Sequence, residues 1–277
     1  MRISIRHVIV QEFAPPARSV IQKMRLRPRA LESQHVMSWG IEFDVDCQLR
    51  ERQDTCGNFV QTLDADGPLN KLTVTARGEI DTFDTAGLLR GEVERFSPDI
   101  FLRDTDLTEC DPDLRAFARE AIKGVKTELD KPHFLMRAVS EAMAFAASES
   151  DPVSAIDAFK AKKGGSGDMA HVFIAAARAI DVPARFVSGY LASESDGAER
   201  APDTSDLHSW TEAYVDGLGW IGFDPSICLC MHDGHVRLAV ALDWLGAAPL
   251  RVAPTQSATR SVDARAIVSQ GQAQRQS

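Results

Sequence analysis

The sequence predicts an α+β chain in three parts. An N-terminal antiparallel β-sandwich covers residues 1–95, a domain with a helix packed on an antiparallel sheet covers 96–252, and a disordered tail covers 253–277. Two observations carry this. Up to about residue 90 the apolar residues come in short, β-branched runs separated by turn formers. From about residue 110 the period lengthens to that of helices, and it shortens again after Pro183.

In the first part the runs are ISIRHVIVQEF, SVIQKMRLRP, SWGIEFDVDCQL, NFVQTL and KLTVTARGEI. Pro15-Pro16, Pro28, Gly57-Asn58 and Asp66-Gly67-Pro68 divide them. The last run alternates, with Leu72, Val74 and Ala76 on one side. Several such strands at close spacing predict a sandwich.

In the second part Asp111-Pro112 reads as an N-cap followed by proline at the first helical position. Leu114, Phe117, Ala118, Ala121, Ile122 and Val125 then fall on one helical face. A second helix is expected after Lys131-Pro132, and a shorter one from Asp151-Pro152 through Phe159. The segment GGSGDMAHVFIAAARAID then opens on glycines. Its stripe of Met169, Val172, Phe173, Ala176 and Ile180 is that of an amphipathic helix. Pro183 stops it, and ARFVSGYL reads as a strand. LHSWTEAYV and WIGFD read as a hairpin through Asp216-Gly217-Leu218-Gly219, and HVRLAVALDW as another strand. Residues 192–206 form a polar, acidic loop read as a flap. The tail is rich in Ser, Gln, Ala and Arg and lacks an apolar pattern.

Composition excludes several classes. A net charge of −9 with no basic stripe speaks against nucleic acid and anionic membranes as partners. The start has only short apolar runs, broken by His7 and Gln11, so neither a signal peptide nor a membrane span is expected. Five scattered cysteines in such a chain predict reduced thiols and the cytoplasm. GGSG lacks the Lys-Ser/Thr of a phosphate-binding loop. CLCMHDGH has thiols and imidazoles, but not at the spacing of the usual zinc sites. No cofactor or metal is expected.

Three polar residues stand at the edges of apolar elements: Ser166 before a helix, His208 near the start of a strand and Asp224 at the end of the next. A nucleophile at a helix N-terminus faces unpaired amides that can hold a developing oxyanion. An imidazole can take its proton, and a carboxylate can orient the imidazole. His208 and Asp224 share a sheet face if the hairpin connection is odd in length, or if a bulge offsets an even one.

Gly164, Asp168, Ala170 and His171 at a helix start are followed by DVPARFVSGYL, DLHSWTEAYV and GLGWIGFDP. In this order they resemble the motifs of the bacterial transglutaminase-like superfamily, from about residue 110 to 251. LRP, a W-G-I-E-F-D-V strand and a GN turn resemble the β-rich region that often precedes that domain. The resemblance implies a papain-like fold, a peptide or protein amide substrate, and a triad with His208 as histidine and Asp224 as acid. It gives His171 no role as base. At the family's catalytic cysteine stands Ser166. Ser166 reads as a working nucleophile, as a helix cap in a silent relative that binds peptide or protein, as an engineered replacement of cysteine, or as a bystander to chemistry elsewhere in the pocket. Trp210 and Trp220 read as core and pocket wall.

Overall fold

The computed structural model describes residues 1–91, 96–147, 150–192, 206–252 and 258–268. The first four strands are β1 (Arg2–Met24), β2 (Gln34–Phe43), β3 (Gln48–Gln53) and β4 (Phe59–Thr82). β1 and β4 are each read from sequence as two strands, and they form single long ones. The turn signals at Pro15-Pro16 and Gly67-Pro68 fall within them, where the β1/β4 register shifts between Glu12 and Ser19. Proline is tolerated at such an irregularity because no ladder hydrogen bond is required of it there. Across the shift the buried side of β1 passes from odd positions (Ile3, Ile5, Ile9, Phe13) to even ones (Val20, Met24). β4 changes in step, from Leu63 and Ala65 to Leu72, Val74, Ala76 and Ile80. The irregularity therefore keeps both halves of both strands facing one core.

The second domain begins with a 3-10 turn at Pro98–Leu102 and α1 (Pro112–Ala121), whose first turn is capped by the Asp111 carboxylate accepting from the Leu114 amide. α2 (Asp130–Ala142) follows, then β5 (Ala144–Phe145). α3 (Ala155–Ala161) starts one turn later than expected, at the cap Ser154, and leads to β6 (Lys163–Gly164), which pairs in parallel with β5. α4 (Ser166–Arg178) comes next, buried from Gly167 to Arg178. It lies against α1, α2 and α3 as well as a five-stranded sheet, which explains why its sequence is apolar beyond one stripe. That sheet is made of β7 (Ala184–Leu191), β8 (Leu207–Val215), β9 (Gly219–Asp224), β10 (Leu229–Cys230) and β11 (His235–Ala241), in the order β10-β9-β8-β7-β11, all antiparallel. A short α5 (Trp244–Ala247) follows.

The chain then returns to the first domain. β12 (Leu250–Val252) and β13 (Ala258–Val268) both pair antiparallel with β1. This corrects the expectation of a disordered tail: residues 258–268 form a strand along Ile3–Phe13, with Ala264 and Ala266 buried in the sandwich core. Small alanines leave little apolar signal, and the strand's hydrogen bonds come from the opposite end of the chain. Residues 269–277 and most of the acidic 192–206 loop lie outside the described residues.

The two domains are keyed at the outer edge of β11. The Gln34 side chain donates to the Arg237 carbonyl at 2.9 Å and accepts from the Arg237 amide at 2.8 Å. Asn58 does the same for Val240, at 2.7 and 2.9 Å. Two side-chain amides thus satisfy backbone groups that an edge strand leaves open.

Candidate active site

The opening glycines are explained by close approach. A Cβ on Gly164 would lie 2.6 Å from the Asp168 Cβ, and one on Gly167 would lie 2.3 Å from the Pro152 side chain. The Asp168 carboxylate, thus drawn in, accepts from the Gly165 and Val153 amides, both at 2.8 Å. His171 is equally committed. Its Nδ1 donates to the Val153 carbonyl at 2.8 Å and its Nε2 accepts from the Trp244 amide at 3.2 Å. Burial lowers its pKa, which matches a neutral ring used to tie three segments together.

Ser166 is not a cap. The N-cap is Gly165, and the Ser166 hydroxyl accepts from the amide of Ser209 on β8, at 3.2 Å. The helix-cap reading is thereby corrected: the side chain points out of the helix toward the strand that carries His208.

His208 and Asp224 meet directly. The β8/β9 hairpin closes with Val215 opposite Gly219, so its loop has three residues. Continued along the strands, that register sets Asp224 across from Trp210, with His208 two residues away on the same face. His208 Nε2 lies 2.5 Å from Asp224 Oδ2. The other oxygen, Oδ1, accepts from the Ser226 amide at 3.0 Å and the Ser226 hydroxyl at 2.6 Å. Burial alone would raise the Asp224 pKa. The neighbouring His208 and the hydrogen bonds of two imidazoles outweigh it and hold the carboxyl well below the ordinary range.

The second imidazole is His235 on β11, with Nε2 3.2 Å from Asp224 Oδ2. Sequence reasoning weighed His235 only within a rejected zinc motif. Its signal was weak, since its approach to Asp224 depends on the packing of distant strands. The two cysteines of the CLCMHDGH segment are placed differently: Cys228 has a positive φ of 55°, and Cys230 meets His133 of α2 at 3.5 Å.

Trp210 walls the site. Its ring lies 6.4 Å from His208, near-parallel, and 5.1 Å from His235, edge-on. Gly189 on β7 makes room for it: a Cβ there would lie 2.6 Å from the indole. Trp220 instead packs edge-on to Phe101 and under the Arg185 guanidinium at 3.9 Å, as core.

Beside His208 opens a cleft of about 190 Å³, walled by Phe145, Leu191, Leu207 and Ile227. His208, Asp224 and His235 place their ligand atoms within 4.8 Å of one another, the one such trio among the described residues. Each of these atoms is already engaged with its neighbours by hydrogen bonds, so the donor set fits proton handling better than a cation. Elsewhere, Glu212 is fully buried between Arg185 and Arg237, each donating to it at 2.6 Å. No helix among the described residues is long and apolar enough to cross a membrane.

Comparisons with known proteins bear on the family and the fold. The model of the transglutaminase-like superfamily matches residues 115–225, and that of the bacterial transglutaminase-like N-terminal region matches residues 3–81. The chain is 24% identical over 262 residues to "Uncharacterized protein ML0607" of Mycobacterium leprae (strain TN), covering 90% of this chain and 92% of that one. In structure it is similar to a "Putative Cysteine Protease" from Cytophaga hutchinsonii, with a TM-score of 0.74, 21% identity, and 98% and 92% of the two chains covered. The periplasmic domain of TgpA from Pseudomonas aeruginosa matches at a TM-score of 0.41 and 16% identity, over 79% and 87% of the chains.

Proposed function

Because the chain belongs to the bacterial transglutaminase-like proteins, we propose that its cleft performs acyl transfer at the amide of a peptide or protein, with water as acceptor. Ser166 attacks the acyl carbon, an ester forms and the amide C–N bond breaks. His208 takes the hydroxyl proton and hands it to the leaving amine, and Asp224 orients the ring. Water then hydrolyses the ester by the reverse proton path.

One observation supports this reading above others. His208 spends Nε2 on Asp224, which leaves Nδ1, the nitrogen on the main-chain side of its ring, for Ser166. The serine oxygen accepts from the very next backbone amide, so its own proton is free to be given. Amides in the first turn of a helix, such as those at the start of α4, lack intrahelical carbonyl partners and can hold a developing oxyanion. The five cysteines form no disulfide, which suits a reducing compartment such as the cytoplasm.

A second reading is a silent relative that binds peptide or protein in the retained cleft. It is favoured by the hydroxyl itself. A helix end and an imidazole can store a thiolate but not an alkoxide, and Ser166 is held by a backbone amide.

Serine- and cysteine-directed activity probes separate the two. Labelling of the native protein by a fluorophosphonate, lost in Ser166→Ala, is the expected result. Peptide binding without label, together with thiol-dependent amidase activity in Ser166→Cys, is the result of the silent reading.

A further inference from the structure

We propose that His235 is a positioning residue for Asp224, a neutral second donor that fixes the carboxylate and moderates its pull on His208. The inference deepens the proposed function and rests on it for the role of His208. His235 also lies outside the residues matched by either family model.

The hydrogen bonds assign its tautomer. His235 Nδ1 accepts from the His232 amide at 3.3 Å, so the ring proton sits on Nε2, which faces Asp224 Oδ2 at 3.2 Å. Oδ2 therefore accepts from two imidazoles while Oδ1 accepts from two groups of Ser226. All of this occurs with the His235 and Asp224 side chains fully buried. A carboxylate engaged at both oxygens cannot swing, and its plane then sets the orientation of the His208 ring.

The charge logic follows from burial. An ionised His235 beside His208 would repel the imidazolium that forms during the proposed reaction. Desolvation instead pushes the His235 pKa down, against the pull of Asp224, and favours the neutral ring. The titratable groups facing His235 are Asp224, His208 and, edge-on at 4.5 Å, His232, whose Nδ1 accepts from the Gly234 amide at 3.0 Å and lies 3.7 Å from Asp233. Asp206 shares the cleft with His208, with one carboxylate oxygen accepting from the Ala266 amide.

Removing the donor concentrates charge on Oδ2 and strengthens its hold on the His208 proton. The test is a ¹⁵N-histidine NMR titration of native protein, His235→Phe and His235→Gln. The His208 titration is expected to move to higher pH in His235→Phe. It should stay near native in His235→Gln, whose amide can still donate. A folded His235→Phe protein with His208 titrating at the native pH would overturn the proposal. If His235→Phe does not fold, the native spectrum decides. His235 protonated at Nε2 alone is expected, and protonation at Nδ1 instead would overturn the proposal. The measurement needs no turnover, so an inactive protein that shows the shift would sink the proposed hydrolysis while leaving the role of His235 standing.

Discussion

His208 reaches Asp224 on a diagonal of the β8/β9 hairpin, Nε2 to Oδ2 at 2.5 Å, because the connecting loop has three residues. With two, the side chains would project from opposite faces of the sheet. Asp224→Asn keeps the shape but presents an amide where a carboxylate accepted two ring protons. If Ser166 is the nucleophile, kcat/KM should fall by about 10³–10⁴-fold, in a protein that still folds but has lost about 1–3 kcal/mol of stability. Amidase kinetics alongside circular dichroism check both halves of that statement.

Gly164→Ala should damage the site without touching a triad residue. The new Cβ would lie 2.6–3.0 Å from the Asp168 side chain, whose carboxylate holds the Gly165 and Val153 amides. Displacing it leaves two amides short of a partner and shifts the start of α4, which carries Ser166. A stability loss of about 1–3 kcal/mol is expected in urea unfolding, with a larger relative loss of probe labelling than of folded protein.

Glu212 sits on β8 between two guanidiniums with no exposure, in the face that also carries His208 and Trp210. Glu212→Gln would strand two buried cations with a neutral partner. Its cost should be about 3–5 kcal/mol. Chemical denaturation of the variant should show a lower midpoint, and a midpoint equal to the native one would mean that the pairing of Glu212 with Arg185 and Arg237 is not a stabilising element.

How much of this was legible in the sequence depended on range. GGSGDMAHVF was readable because its signals are local: glycines at the start, Gly164 forced by Asp168 of the next turn, then a helical apolar period. The partnership of His208 with Asp224 was legible up to one unknown, the parity of a four-residue stretch rich in glycine. Pro15-Pro16 and Gly67-Pro68 were misread as strand ends. A proline reports only that a ladder bond is missing, and whether the strand continues is decided by its partner. ATRSVDARAIV could not be read at all, since Ala264 and Ala266 are buried only because β1 lies beside them. His235 was missed for the same reason: its meaning is its distance to Asp224, set by the packing of β11, β7 and β8.

His7 supplies a test on pH. It lies on the buried face of β1, its Nδ1 2.9 Å from the Tyr190 hydroxyl on β7, and desolvation pushes its pKa down to about 4. In the unfolded chain the ring titrates near its ordinary value of 6.5. Between those two values the unfolded state binds more protons than the folded one, so stability rises with pH across that window and is lost as pH falls through it. The contribution is present in full above about pH 6.5, and its loss amounts to about 3 kcal/mol by pH 4. His7→Phe removes the proton acceptor. It should flatten the decline in urea midpoint between pH 7 and 4.5, at the expense of about 1 kcal/mol at pH 8 for the lost Tyr190 hydrogen bond. A decline as steep in the variant as in the native protein would move the acid sensitivity to other groups.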